Sequence, residues 1–155
     1  MEKPRGGKKF ASTTSSLYID STISKPNADA IITAVSTIIH SQILEDIQNE
    51  REIEEDSDLF FFSEEKYIKE KPEEYDESRR ALLREMPTID SITEFIKALY
   101  ECAQFSTECC IICLVYINRI ISFTDMPLQA TNWRPLILCS LLVAQKVKFV
   151  GFAEI

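Results

Sequence analysis

The sequence predicts an all-α fold, and three observations carry that expectation. Apolar residues recur at three- and four-residue steps through long stretches of the chain. Glycine is scarce, at 3 in 155 residues, which disfavours a turn-rich β architecture. Helix-start signals stand just ahead of the apolar runs. The length suits one domain and is short for two.

Residues 1–26 carry Ser, Thr and Lys with almost no apolar periodicity, and read as a disordered arm. A helix entry follows at Pro26–Asn27. From Ala28 onward Ile31, Ile32, Val35, Ile38, Ile39, Ile43 and Ile47 line one wide face of an amphipathic helix. Its β-branched residues are modest helix formers, so packing must supply most of its stability. Residues 27–87 are therefore read as this helix and an acidic linker. Within the linker, Leu59–Phe62 is a satellite able to dock on the core, with Phe60–Phe62 as an alternative partner anchor, a short helix runs from about Glu73 to Arg84, and Pro87 closes it.

Three helices are expected in 88–148. Ser91 and Glu94 fit an S-x-x-E capping box, with Phe95, Ile96, Leu99, Cys102 and Ala103 on one side and Lys97 and Glu101 paired in solvent. A second helix starts at Ser106, with Glu108 favoured by the macrodipole, and is apolar all round from Cys109 to Ile117, as a buried element would be. Thr124–Pro127 breaks it. The third starts at Thr131, tolerates Pro135 near its first turn, and ends at Lys146 after the run Leu136–Val143. Residues 149–155 form an atypical tail.

Charge is concentrated. From Glu45 to Glu77, 15 acids face 4 bases, a net of −11, whereas the other residues hold 10 acids and 13 bases, a net of +3. No basic stripe is interleaved with aromatics, so nucleic acid is not an expected partner. The basic N-terminus runs into Ser/Thr instead of an apolar core, so no signal peptide is expected. The unbroken apolar runs are about half of the roughly 20 residues that span a bilayer. Glu2 occupies the position where N-myristoylation needs glycine. Cytoplasm is the expected compartment, with the nucleus as alternative, and the five cysteines should be reduced there.

Catalytic and metal chemistry find little support. Cys109, Cys110 and Cys113 include a C-x-x-C spacing on one apolar helix with no nearby histidine, a pattern that reads as core thiols. His40 is the sole histidine and lacks a nucleophile pattern around it. Arg119 reads as structural, bonding helix ends. Trp133 is a packing residue at the start of the third helix, with a partner-facing position as the alternative. Ser12 follows Lys8 and Lys9 and fits a basophilic kinase site.

The stretch from Phe95 to Val147 resembles the cyclin Y branch of the cyclin family, related to fungal phosphate-pathway cyclins. The resemblance rests on Ala103–Cys109 ("AQFSTEC"), "LVYINRI" in the second helix, "NWRPLIL" at Asn132–Leu138 and "LLVAQKV" at Leu141–Val147. "DSTISKPN" at Asp20–Asn27 matches a motif ahead of the cyclin box in that branch. The resemblance implies a partial cyclin box, its helices one to three, in a chain cut short within the box. It also implies a non-enzymatic, cofactor-free regulator of cyclin-dependent kinases of the PFTAIRE/PCTAIRE type. Lys146 matches the cyclin lysine that bonds backbone carbonyls beside the kinase's αC helix, whose inward position pairs its Glu with the ATP-positioning Lys. Trp133 is the second candidate at that surface. Ser12 occupies the place of a phosphoserine that recruits 14-3-3 proteins, and added phosphate suits an Arg cluster. The alternative reading is a truncated adaptor or dominant-negative isoform that cannot activate a kinase.

Overall fold

The computed structural model of the protein describes residues 26–152. The chain is all-α, with no strand among the described residues. In order it forms α1 (Ala28–Gln48), a 3₁₀ turn (Asp58–Phe62), α2 (Glu64–Glu70), a second 3₁₀ turn (Pro72–Glu74), α3 (Glu77–Arg84), α4 (Ile89–Ala103), α5 (Thr107–Thr124) and α6 (Trp133–Phe152). The arm expected over 1–26 lies, apart from Pro26, outside the described residues.

α1 begins where the Asn27 side chain accepts a hydrogen bond from the Ala30 amide at 3.1 Å. Ile32, Val35, Ile39 and Ile43 form its buried stripe, each worth about 1.5–3 kcal/mol of apolar burial. They join one core with Ile92 and Ile96 of α4, Cys109, Cys113 and Ile117 of α5, and Leu136, Ile137 and Leu141 of α6. α1 packs on α4 and α5, and α5 packs on α6. Ile38 and Ile47, expected on the packed face, lie at its margins and are exposed, so the buried stripe is narrower than the sequence suggests; Leu44, farther round the helix, is exposed too.

The cap of α4 lies one turn before the expected place. Thr88 is its N-cap and Ser91 the reciprocal partner: the Ser91 amide donates to Thr88 Oγ1 at 3.1 Å and the Thr88 amide to Ser91 Oγ at 2.9 Å. Thr88 can start the helix because Pro87 stops the preceding segment. Lys97 reaches Asp29 of α1 at 2.7 Å instead of pairing chiefly along its own helix, so it ties two helices together. α4 and α5 end on residues with left-handed backbone, Gln104 (φ 51°) and Asp125 (φ 55°). These close each helix without the glycine usual at such a position.

The apolar surfaces of α5 and α6 depart from expectation. Both helices read as buried all round, yet Ile111 and Val115 of α5 are close to half exposed. So are Leu142, Val143 and Val147 of α6. Each helix buries one face, while the others have no cover among the described residues. By length and composition α1 and α5 are also long and apolar enough to cross a membrane, a property that unbroken-run counting misses because single polar residues interrupt the runs. Each gives one face to the shared core, as core helices of that composition do.

The acidic segment is ordered against this core. Leu59 packs on it, and the Glu64 amide donates to the Thr131 carbonyl at 2.7 Å. Glu64 also pairs with Arg134 at 3.0 Å. Desolvation raises the Glu64 carboxyl above its ordinary value, against the pull of Arg134. α2 was not expected from the sequence; Ser63 starts it by accepting from the Glu65 amide, and Ile68 is its buried residue. α3 confirms only the later part of the expected Glu73–Arg84 helix, because Pro72–Glu74 makes a separate 3₁₀ turn.

The strongest polar anchor is Arg51. Its guanidinium meets Asp46 at 2.6 Å and Asp125 at 2.5 Å, and also donates to the Asp125 carbonyl at 2.7 Å. The second oxygen of Asp46 accepts from the Leu128 amide at 2.7 Å. Asp46 is 1% exposed, so its charge depends on these partners. Arg51→Ala should cost about 3 kcal/mol in chemical denaturation, because it leaves a buried carboxylate with one backbone partner. Asp125→Ala, on the solvent side of the same guanidinium, should cost under about 1 kcal/mol.

Candidate docking surface

α6 divides into two faces. Trp133, Leu136, Ile137, Ser140, Leu141 and Ala144 point into the core, at the spacing of one helical stripe. Leu138, Cys139, Leu142, Val143, Lys146 and Val147 fall outside it and are exposed. Lys146 follows Leu142 by one helical step of four and Val143 by one of three, so its ammonium rises from an apolar surface. It has no ion pair with another described residue.

Lys146 does not end its helix. α6 continues to Phe152, which corrects the expected C-terminus of the third helix. The lysine therefore lies within a helix whose backbone carbonyls bond farther along. Its presentation comes from side-chain direction, not from a helix end.

Trp133 lies elsewhere. It is 1% exposed, its ring stands edge-on to Phe95 at 5.2 Å between centroids, and the Arg134 guanidinium lies 4.4 Å from its ring centre. A docking role for Trp133 does not fit this burial, which instead matches the packing alternative. Lys146 and Trp133 are thus not brought together on one surface. Ser12 lies outside the described residues.

Arg119 bonds no helix end, contrary to expectation. It is exposed on α5 and has no hydrogen bond or ion pair with a described residue. With Tyr116, Ile120 and Phe123 it borders an apolar groove of about 430 Å³ between α5 and α6. The sequence signal for that groove was the all-round apolarity of both helices, read at first as full burial.

The aromatic satellite divides between core and solvent. Leu59 docks, whereas Phe61 and Phe62 are exposed, with the Lys66 ammonium 3.2 Å from the Phe61 ring centre. That neighbour already occupies one ring face.

The cysteines are free thiols, with Cys109, Cys110 and Cys113 buried and Cys102 and Cys139 exposed. Burial pushes Cys110 up to about 11 and Cys113 up to about 12, first through desolvation and then through neighbouring thiols. Cys113 also donates to the Ile137 carbonyl at 3.7 Å, tying α5 to α6. High pKa values make these thiols poor nucleophiles near neutral pH. No group of three or more metal-binding side chains occurs among the described residues.

No family model matches the chain, and no solved structure matches it.

The thiol environments give a direct check. A thiol reagent at neutral pH should label Cys102 and Cys139 in the native protein, while Cys109, Cys110 and Cys113 should react only on unfolding, as read by mass spectrometry. Labelling of Cys113 at the rate of Cys102 in folded protein would contradict the burial described.

Proposed function

We propose that the chain is a cyclin Y-like regulatory subunit, not itself an enzyme, which binds and regulates a cyclin-dependent kinase of the PFTAIRE/PCTAIRE type. The family reading rests on the ordered motifs from Ala103 to Val147. One structural observation favours it: Lys146 stands on an exposed apolar face of α6 with no partner of its own among the described residues. Such a lysine can donate to backbone carbonyls beside the kinase αC helix, while Leu142 and Val143 supply apolar contact. Holding αC inward would let its Glu pair with the Lys that positions ATP.

The contact requires no cofactor, since regulation here is a shift between two kinase conformations. Trp133 supports the surface only indirectly, through the core that fixes the start of α6. Ser12 is the proposed phosphorylation site for a 14-3-3 protein, with the cytoplasm as the proposed compartment and the nucleus as the alternative.

Binding of the full chain to such a kinase can be followed by titration calorimetry. Lys146→Ala should weaken the complex by about 2–5 kcal/mol, because the buried carbonyls lose a charged donor. Its circular dichroism and melting curve should stay those of the wild type, since Lys146 is exposed. Equal affinity of wild type and variant would remove Lys146 from the interface.

A further inference from the structure

We infer that residues 52–86 form a strap that opens from the helical core as one body, pivoting at Arg51 and Pro87, with Ser63 and Glu64 as its latch on the start of α6. This opening does not rest on the kinase reading.

The strap is stitched to itself. Arg84 of α3 donates to both carboxylate oxygens of Glu65 in α2, at 2.7 and 3.1 Å. Arg80 donates to the Pro72 carbonyl at 2.8 Å, and Lys69 pairs with Glu55. The Lys66 and Lys69 ammoniums lie over the Phe61 and Phe60 rings, at 3.2 and 5.3 Å from their centres. Ile68 is buried yet stands outside the shared core cluster, so the strap has a small apolar centre of its own.

Its ties to the core are few. No helix of the strap packs along a core helix. Leu59 rests on the core, and Ile53 and Met86 do so beside the two pivots. Polar ties gather at one place. The Glu64 amide donates to the Thr131 carbonyl at 2.7 Å, and the Ser63 hydroxyl donates to Thr131 Oγ1 at 3.2 Å. The Glu64 carboxylate meets Arg134 at 3.0 Å.

That latch is weak for its size. The Arg134 and Glu64 side chains are 23% and 20% exposed, so water screens the pair and replaces it when the strap lifts. Burial penalises the Glu64 carboxylate and offsets part of the attraction. The strap also holds 13 acids and 6 bases, a net of −7, and this self-repulsion works against the closed position. The core is different, because α1, α4, α5 and α6 all share one apolar cluster. A unit joined so sparsely opens at lower cost than the core unfolds. Opening frees the Arg134 guanidinium, otherwise held between Glu64 and the Trp133 ring. The strap is thus a removable cover on a cation at the start of α6.

Hydrogen exchange of the full chain, followed amide by amide with NMR, reads this motion. The amide at position 64 bonds across the boundary, whereas the Ile39 amide lies inside α1 and reports unfolding of the core. After correction for intrinsic rates, position 64 should exchange on the order of 100-fold faster than Ile39. Glu64→Gln and Arg134→Ala should each speed position 64 about fivefold, the upper end for a screened ion pair. Leu59→Ala should speed it as well, because a single body releases its apolar and polar ties together. Ile32→Val, a core truncation far along α1 from the Arg51 pivot, should speed Ile39 about tenfold and leave position 64 unchanged. Circular dichroism checks that each variant folds. Exchange of position 64 at the Ile39 rate, or its acceleration by Ile32→Val, would mean that no separate opening exists. Indifference of position 64 to Leu59→Ala would reduce the motion to fraying of one helix start, and indifference to both latch variants would remove the latch. Each of these results overturns the inference.

Discussion

Asp46 is a carboxylate at the bottom of the molecule's polar economy, buried at 1% exposure at the end of an apolar helix face. Taking such a charge out of water costs several kcal/mol unless partners restore what water gave. Here Arg51 supplies the counter-charge and the Leu128 amide a directed hydrogen bond. Those two partners come from different stretches of chain, and Arg51 extends the reach to Asp125. The end of α1, the end of α5 and the connection into α6 therefore meet at one node. Gln129 reinforces it by donating to the Arg51 carbonyl at 3.2 Å.

That node determines how the acidic segment behaves. A segment of net −11 would stay extended through self-repulsion without specific ties. Arg51 fixes its start, and Glu64 with Arg134 and Thr131 fixes its middle. Asn132 completes the connection, fully buried, donating to the Pro127 carbonyl and accepting from the Gln129 amide, both at 2.8 Å. The loop between α5 and α6 is thus held from both sides by polar contacts. It can aim α6 although it contains no regular structure.

Much of this was written in the sequence, and the misses share a cause. Helical periodicity located α1, α4, α5 and α6, and Asn27 and Ser106 marked the starts of α1 and α5. Nothing in the sequence expectations singled out Asp46, although its place in phase with the Ile32, Val35, Ile39, Ile43 stripe was visible. Its partners were not, because Arg51, Asp125 and Leu128 are joined only by tertiary folding. α2 was hidden for a similar reason: Ile68 alone is buried in it, too little to produce a periodic signal. The uncovered faces of α5 and α6 were misread as burial because apolarity shows that a face avoids water and does not show what covers it. Lys146 was singled out through motif resemblance alone, and Arg119, read as bonding helix ends, proved exposed and without a partner among the described residues.

The two surfaces on α6 follow from one geometric fact. A helix buries at most one broad stripe against its neighbours, so an all-round apolar sequence must expose the rest unless other elements enclose it. On α6 the stripe from Trp133 to Ala144 is fixed by the core, and its start is fixed by the loop tied to Asp46. Rotation about the helix axis is then not free. It would carry Leu136, Ile137 and Leu141 into water, at about 1.5–3 kcal/mol for each side chain. With rotation locked, Lys146 must point outward beside Leu142, and Val143 must face the α5 groove. The buried carboxylate at the end of α1 thus sets the direction of a cation on α6, through packing alone and with no contact between them.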